Sequence, residues 1–243
     1  MEPKEIWITR IFNDYLSGPG NSLLGLVGIH GEARPWTNYV TMELLVAAII
    51  VVLFASLRPR LSVEKPGKFQ HCCELLYGFV RTTAEDQIAH GGAKYVAFCG
   101  TLFIFILFMN LIGLIPGFET PTMTPSVTAG CAMATFFYYN IAGVMALGPL
   151  QYAAHFAGPV WWLAPLMIPI EIISHLARPL ALTIRLFANM FAGEQVTLVF
   201  MSLVSLGVPV VFMGLHVFVS LLQAYIFMIL TMVYVGGAVA HEH

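Results

Sequence analysis

The chain has 243 residues, of which 58% are hydrophobic and 10% charged, with a formal net charge of −2 and a mean hydropathy of +0.82. Soluble domains carry about 25% charged residues, so this composition excludes a water-soluble core and implies an all-α membrane protein with several crossings. No Lys/Arg cluster tracks a phosphate backbone, which excludes nucleic acid as a partner.

Residues 1–38 read as a polar outer arm containing Gly and Pro, with a short helix expected at 6–16 and no apolar stretch of signal-peptide type at the start. Trp36 and Tyr39 stand where interface anchors belong, ahead of a first membrane helix at 39–57. That helix stops at Arg58-Pro59-Arg60, and Lys65 and Lys68 follow. This is the densest basic loop, so the positive-inside rule assigns it to the cytoplasm and the N-terminus to the outside. Over 68–90, Phe69, Cys72, Cys73, Leu76, Phe79, Val80 and Thr83 recur at helical spacing, with Glu74, Arg81, Glu85 and Asp86 mostly elsewhere. An amphipathic interfacial helix is expected there.

A second span at 95–115 ends in Asn110-Leu111-Ile112-Gly113-Leu114-Ile115-Pro116, and Glu119 then marks an outer loop. The third span, 127–150, is thinly polar, with Thr128, Thr135 and Asn140. A loop at 148–159 carries His155, and Trp161 and Trp162 open the next apolar tract at an interface. That tract, 163–206, exceeds one upright crossing and contains Pro165, Pro169 and Pro179. It is expected to be one long, tilted, kinked helix or two joined pieces. A turn at Gly207-Val208-Pro209 leads into the last helix, 208–240, so the final two form a long hairpin. The tail His241-Glu242-His243 is expected to be solvated on the cytoplasmic side. There is no internal repeat, so 1–243 reads as a single membrane domain of about five embedded helices plus the interfacial one. Cys72, Cys73, Cys99 and Cys131 form no C-x-x-C pair and are read as reduced thiols.

The chemistry concentrates in the hairpin. A charge near the bilayer centre costs roughly 2.5–3.5 kcal/mol on insertion scales, so Arg185 and Glu194 in mid-tract point to function. On a helical wheel Glu171, Ser174, Arg178 and Asn189 lie within about 40° of Arg185, together with Ala181 and Ala192. Small residues permit close helix approach, so this stripe reads as a docking face around one fixed cation. On the last helix His216, Ser220, Gln223 and Tyr234 share a second stripe. Folding the two about Val204 brings Arg185 level with Gln223, Asn189 with Ser220, and Glu194 with His216. Glu194 follows Arg185 by nine residues, about 180° around a helix. Either Gly193 bends the helix, or Arg185 faces a separate partner while Glu194 and His216 line a water-filled path; the second reading is adopted. Arg178 reads as a snorkelling interface cation, and His155 and His175 as boundary residues. Arginine keeps its proton in proteins, whereas glutamate and histidine can be tuned toward the working pH. A fixed cation flanked by titratable groups suits a proton path that must not leak straight through.

At these residues the chain resembles subunit a of the F-type ATP synthase. The resemblance lies in Pro169-Ile170-Glu171-Ile172-Ile173-Ser174, in Arg178-Pro179-Leu180, and in Arg185-Leu186-Phe187-Ala188-Asn189-Met190-Phe191-Ala192-Gly193-Glu194. It continues in His216, Leu222-Gln223-Ala224-Tyr225-Ile226-Phe227 and Tyr234, and in the Asn110–Pro116 run. Ala188 departs from a glycine common in the family.

The resemblance implies a non-catalytic proton-channel subunit in an energy-transducing membrane, the bacterial inner membrane, needing no cofactor or metal. Its implied partners are the rotor ring of c subunits, the peripheral-stalk b subunits, the rest of the ATP synthase and the lipid bilayer. Protons would pass through Glu194, His216, Asn189 and Gln223 to a rotor carboxylate and leave near Glu171 and Ser174. Arg185 would separate the two half-channels, with Arg178, Ser220 and Tyr234 in support. No Walker-type phosphate loop is present. The alternative, a secondary ion transporter using the same Arg/Glu/His pathway, calls for paired repeats that are not evident. An intramembrane hydrolase calls for a nucleophile–base pair or an H-E-x-x-H motif, and neither is found.

Overall fold

The computed structural model describes residues 5–26, 34–63, 66–88, 91–115, 117–155, 162, 164–203 and 208–240. Among the described residues the chain is helical throughout, joined by 3-10 turns and loops, with no strand.

Helix α1, Trp7–Leu26, is longer than the expected 6–16 helix, and its helical backbone is interrupted at Leu16 (φ −119°, ψ 19°). Pro19 explains the interruption. It donates no N–H, and its ring presses on the carbonyl four residues back, at Tyr15. Helix α2, Asn38–Leu57, buries Thr41, Met42 and Val46, with Tyr39, Leu45 and Ile50 packed against the core. It ends in a 3-10 turn at Arg58–Arg60.

Helix α3, Lys68–Gln87, packs Val80 and Ala84 inward, against α4 and α8 (defined below). Its expected apolar face is split, since Phe69, Phe79 and Cys72 are exposed while Val80 is buried. Gln70 ties the preceding loop down by exchanging two 3.0 Å hydrogen bonds with the Ser62 backbone.

Helix α4, Val96–Ile112, is the hub of the core, with Cys99, Phe103, Ile106 and Met109 all buried. Helix α5, Pro125–Leu147, starts with proline in its first turn, where a missing N–H is harmless, and stops at Gly148 (φ 82°). The expected loop after it begins as a short helix, α6, Pro149–His155. Gly143 makes room for this return. A Cβ there would stand 2.5 Å from the Tyr152 ring and 2.9 Å from the Ala238 carbonyl.

The tract expected at 163–206 is one helix, α7, Ala164–Leu203, continuous through Pro169 and Pro179. Forty residues at 1.5 Å each span about 60 Å, twice a bilayer core of about 30 Å, so α7 must lie strongly tilted. Helix α8, Val208–Val239, returns along it. α8 is enclosed by α4, α5 and α7, whereas α7 packs chiefly along α5 and α8. Helices α2, α5, α7 and α8 are long and apolar enough to cross a membrane, and α4 is a shorter apolar helix. The protein is therefore an all-α membrane protein, as its composition implies. The four cysteines are unbonded, with Cys99 and Cys131 buried. The side chain of His155, together with Trp161, Gly207 and residues 241–243, lies outside the described residues.

Candidate functional site

Along α7 the buried side chains are His175, Pro179, Leu182, Leu186 and Met190, spaced three or four apart on one face. Arg185 is turned away from that face. It is exposed, flanked by exposed Ala181, Ala188 and Ala192, and takes part in no ion pair among the described residues. Helix α7 runs unbroken through Gly193, so no bend reorients Glu194. Glu194 consequently leaves α7 on the side opposite Arg185 and is half-buried. There it adjoins Thr120 and comes within electrostatic reach of Glu119, beside the 3-10 turn at Pro121–Met123.

The facing stripe of α8 is buried: His216 is 9% exposed, Ser220 0% and Gln223 2%. Asn189 Nδ2 donates to Gln223 Oε1 at 2.9 Å. Gln223 therefore meets Asn189, one turn beyond Arg185, with which the sequence register had paired it, and Ser220 makes no bond to Asn189. The shift has a simple cause. Side chains lean toward the N-terminus of their own helix, so in an antiparallel hairpin Gln223 reaches toward the start of α8 while Asn189 reaches toward the start of α7 to meet it. The level of His216 is as expected. A Cβ on Gly193 would stand 3.5 Å from its Nδ1, and the ring adjoins the Asn110 backbone.

Asn110 joins this cluster from α4, its Oδ1 accepting the Thr122 hydroxyl at 2.7 Å. Five buried atoms here make no hydrogen bond: Asn110 Nδ2, Thr120 Oγ1, His216 Nε2, Ser220 Oγ and Gln223 Nε2. Between α7 and α8 lies a cleft of ≈ 280 Å³, bordered by Asn189, Gly193, Thr197, Phe212, His216 and Val219.

A second cluster lies further toward the start of α7. Glu171 approaches Arg178 at 3.6 Å, and the guanidinium stands over the rings of Tyr234, at 5.3 Å, and Tyr139, at 5.9 Å. Arg178, read as a snorkelling cation, is held by a carboxylate and two aromatic faces. His175, read as a boundary residue, is buried among the helices. It is 9% exposed, and its Nε2 lies 2.8 Å from Asn140 Oδ1, which also accepts the Tyr152 hydroxyl at 2.8 Å. Asn140 donates its own Nδ2 to the Phe136 carbonyl, so its Oδ1 must accept and His175 carries its proton on Nε2. Ser174 is exposed and stands apart from this network.

The sequence reading missed Thr120, Thr122, Tyr139 and Tyr152, and gave Asn110 and Asn140 no chemistry of their own. The two asparagines did carry a signal, as carboxamides inside apolar spans.

An all-α membrane protein with titratable groups strung between packed helices and an arginine, Arg185, unpaired among the described residues in the middle of a membrane-length helix has the build of an ion-conducting subunit. Residues 40–236 match the family described as ATP synthase A chain, and the chain belongs to that family. It is 71% identical over 233 residues to ATP synthase subunit a of Solibacter usitatus (strain Ellin6076), covering 96% of this chain and 100% of that protein. With the protein of the same name from Koribacter versatilis (strain Ellin345) it shares 51% identity over 244 residues, 99% of each. With that of Geobacter sulfurreducens (strain ATCC 51573 / DSM 12127 / PCA) it shares 40% over 203 residues, 84% of this chain and 87% of the other.

Proposed function

We propose that this chain is the proton-conducting subunit of an F-type ATP synthase, carrying protons to and from a carboxylate on a rotor ring of c subunits. The observation that carries the reading is Arg185: a permanent cation, exposed among alanines on the bare face of α7 and paired with no acid among the described residues. Its countercharge then comes from a partner, and the alanines let that partner approach closely.

Protons from outside would use the cluster of Glu194, His216, Asn189 and Gln223. His216 and Gln223 each keep a buried ring or amide nitrogen without a hydrogen bond, at about 1–3 kcal/mol when dry, and His216 borders the cleft, which has room for water. The rotor carboxylate, neutralised by that proton, can turn through lipid. After nearly a full turn it would lose the proton to the side of Glu171 and Ser174, with Arg178 and Tyr234 bracing that end. Arg185 would keep the returning carboxylate ionised and separate the two half-channels. Each proton crossing releases about 2.3 kcal/mol per 100 mV of membrane potential, available for ATP synthesis elsewhere in the complex. The chain itself would perform no ATP chemistry, and peripheral-stalk b subunits would hold it against the rotor's torque.

The basic residues Arg58, Arg60, Lys65 and Lys68 support a bacterial inner-membrane orientation with that loop and the C-terminus cytoplasmic and the N-terminal arm outside. A cysteine at Lys65→Cys, in a background lacking the native four, should resist an impermeant thiol reagent on intact cells; labelling there reverses the orientation.

The central test is Arg185→Ala. In inverted vesicles, ATP-driven acidification should be abolished while the complex still co-purifies. Arg185→Lys should fail as well, because an ammonium covered by the partner can deprotonate and lacks the planar fork. Wild-type pumping by an assembled Arg185→Ala complex defeats the reading.

A further inference from the structure

Glu119 lies in the connection between α4 and α5, outside the membrane helices, and none of the roles above uses it. Its carboxylate is exposed yet held, because Asn38 Nδ2 donates to both oxygens at 3.2 Å. Asn38 is fixed from its other side, its Oδ1 accepting the Ile6 backbone N–H at 3.2 Å. The arm that supplies Ile6 is latched in turn. Asn13 donates to the Trp36 carbonyl at 3.1 Å and accepts the Trp36 N–H at 2.9 Å, and Glu5 pairs with Arg34 at 2.7 Å. A loop glutamate with no task does not require a side-chain clamp anchored to a terminal arm.

Inward, the same carboxylate is within electrostatic reach of Glu194, and the adjacent Thr120 lies against Glu194. Thr120 is 3% exposed, and its hydroxyl forms no completed hydrogen bond. Gly113 lets it sit there, since a Cβ on Gly113 would collide with the Thr120 side chain. A hydroxyl donates and accepts at once, so it can join two carboxylates without becoming charged. The charged or titratable groups around this place are Glu194 of α7, His216 of α8 and the Glu5–Arg34 pair of the arm. α2 contributes neutral Asn38 there and, further along, Glu43 on the side of Cys131.

We propose that Glu119 is the outer collecting carboxylate of the proton path, positioned by Asn38 and passing protons across the Thr120 hydroxyl to Glu194. Bulk water protonates the Glu119 carboxylate. Thr120 then yields its own proton to Glu194 as it accepts the one from Glu119, so the hydroxyl ends as it began. The N-terminal arm thereby gains a function, which is to hold the clamp that holds the collector. The inference rests on the proton-conducting reading above.

The intact synthase, reconstituted in vesicles, tests it through proton-driven ATP synthesis measured against pH at the outer mouth, at constant total driving force. Glu119→Gln should slow synthesis several-fold at alkaline outer pH, where free protons are scarce, and progressively less toward acid. Glu119→Asp should recover much of the loss, and Asn38→Leu should shift the profile the same way but less. A uniform loss at every pH, or an unshifted profile in Glu119→Gln, overturns the proposal. Glu194→Gln in the same preparation separates the two levels. If it slows synthesis at all pH values while Glu119→Gln follows the wild-type profile, only the collector is lost. If Glu194→Gln is itself without effect, the proton-conducting reading falls too.

Discussion

Helices α7 and α8 are the two arms of one hairpin and both are apolar, but their surroundings differ sharply. Within their most apolar stretches, 39% of α8 is buried against 6% of α7. The cause is position, since α8 has protein on three sides and α7 on two. Polar residues of similar type therefore acquire different meanings. His216, Ser220 and Gln223 are sequestered in α8, where they can define a path. Arg185 on α7 is displayed, where it can meet something that moves past. On the proposed reading a rotor would meet an exposed surface, and α8 packs behind α7 as its backing.

The strongest way to break this contrast is to spoil the displayed face alone. Ala181 is exposed one turn from Arg185, so Ala181→Leu should leave insertion and folding intact. The added bulk should push the partner away and cut ATP-driven pumping by about a hundredfold, the scale of loss when reacting groups are misplaced by an ångström. Unchanged pumping in vesicles would mean that the face of α7 does not dock against a close partner.

A smaller effect sharpens the same contrast through stability. Met232 on α8 is 0% exposed and Met167 on α7 is 38% exposed. Met232→Ala should cost about 1–3 kcal/mol, below the range for soluble cores, because in lipid the packing is lost but not the transfer from water. Met167→Ala should stay within about 0.5 kcal/mol. Detergent-titrated unfolding of the two variants measures the difference, and equal costs would contradict the asymmetric burial.

By itself the sequence determined the membrane class, the approximate span positions and the identity of the charged residues in the hairpin. Those features follow from local chemistry: apolar run length, the 3.6-residue period, and the cost of charge in lipid. The opposed directions of Arg185 and Glu194 were legible too, because nine residues of continuous helix set them half a turn apart. Tertiary structure alone decided which polar groups touch. Gln223 meets Asn189 and not Arg185 because both side chains lean along their own helices. Arg178 is claimed by Glu171, Tyr139 and Tyr234, and His175 by Asn140, through contacts made by residues 35 apart in the chain. The period of α7 does place Glu171 and Arg178 on one stripe, but it encodes none of the pairings between helices, since they depend on how α5, α7 and α8 pack. Glu119 is the clearest case. In the sequence it marks a loop, and only the folding of the N-terminal arm back onto Asn38 places it in a clamp beside Glu194.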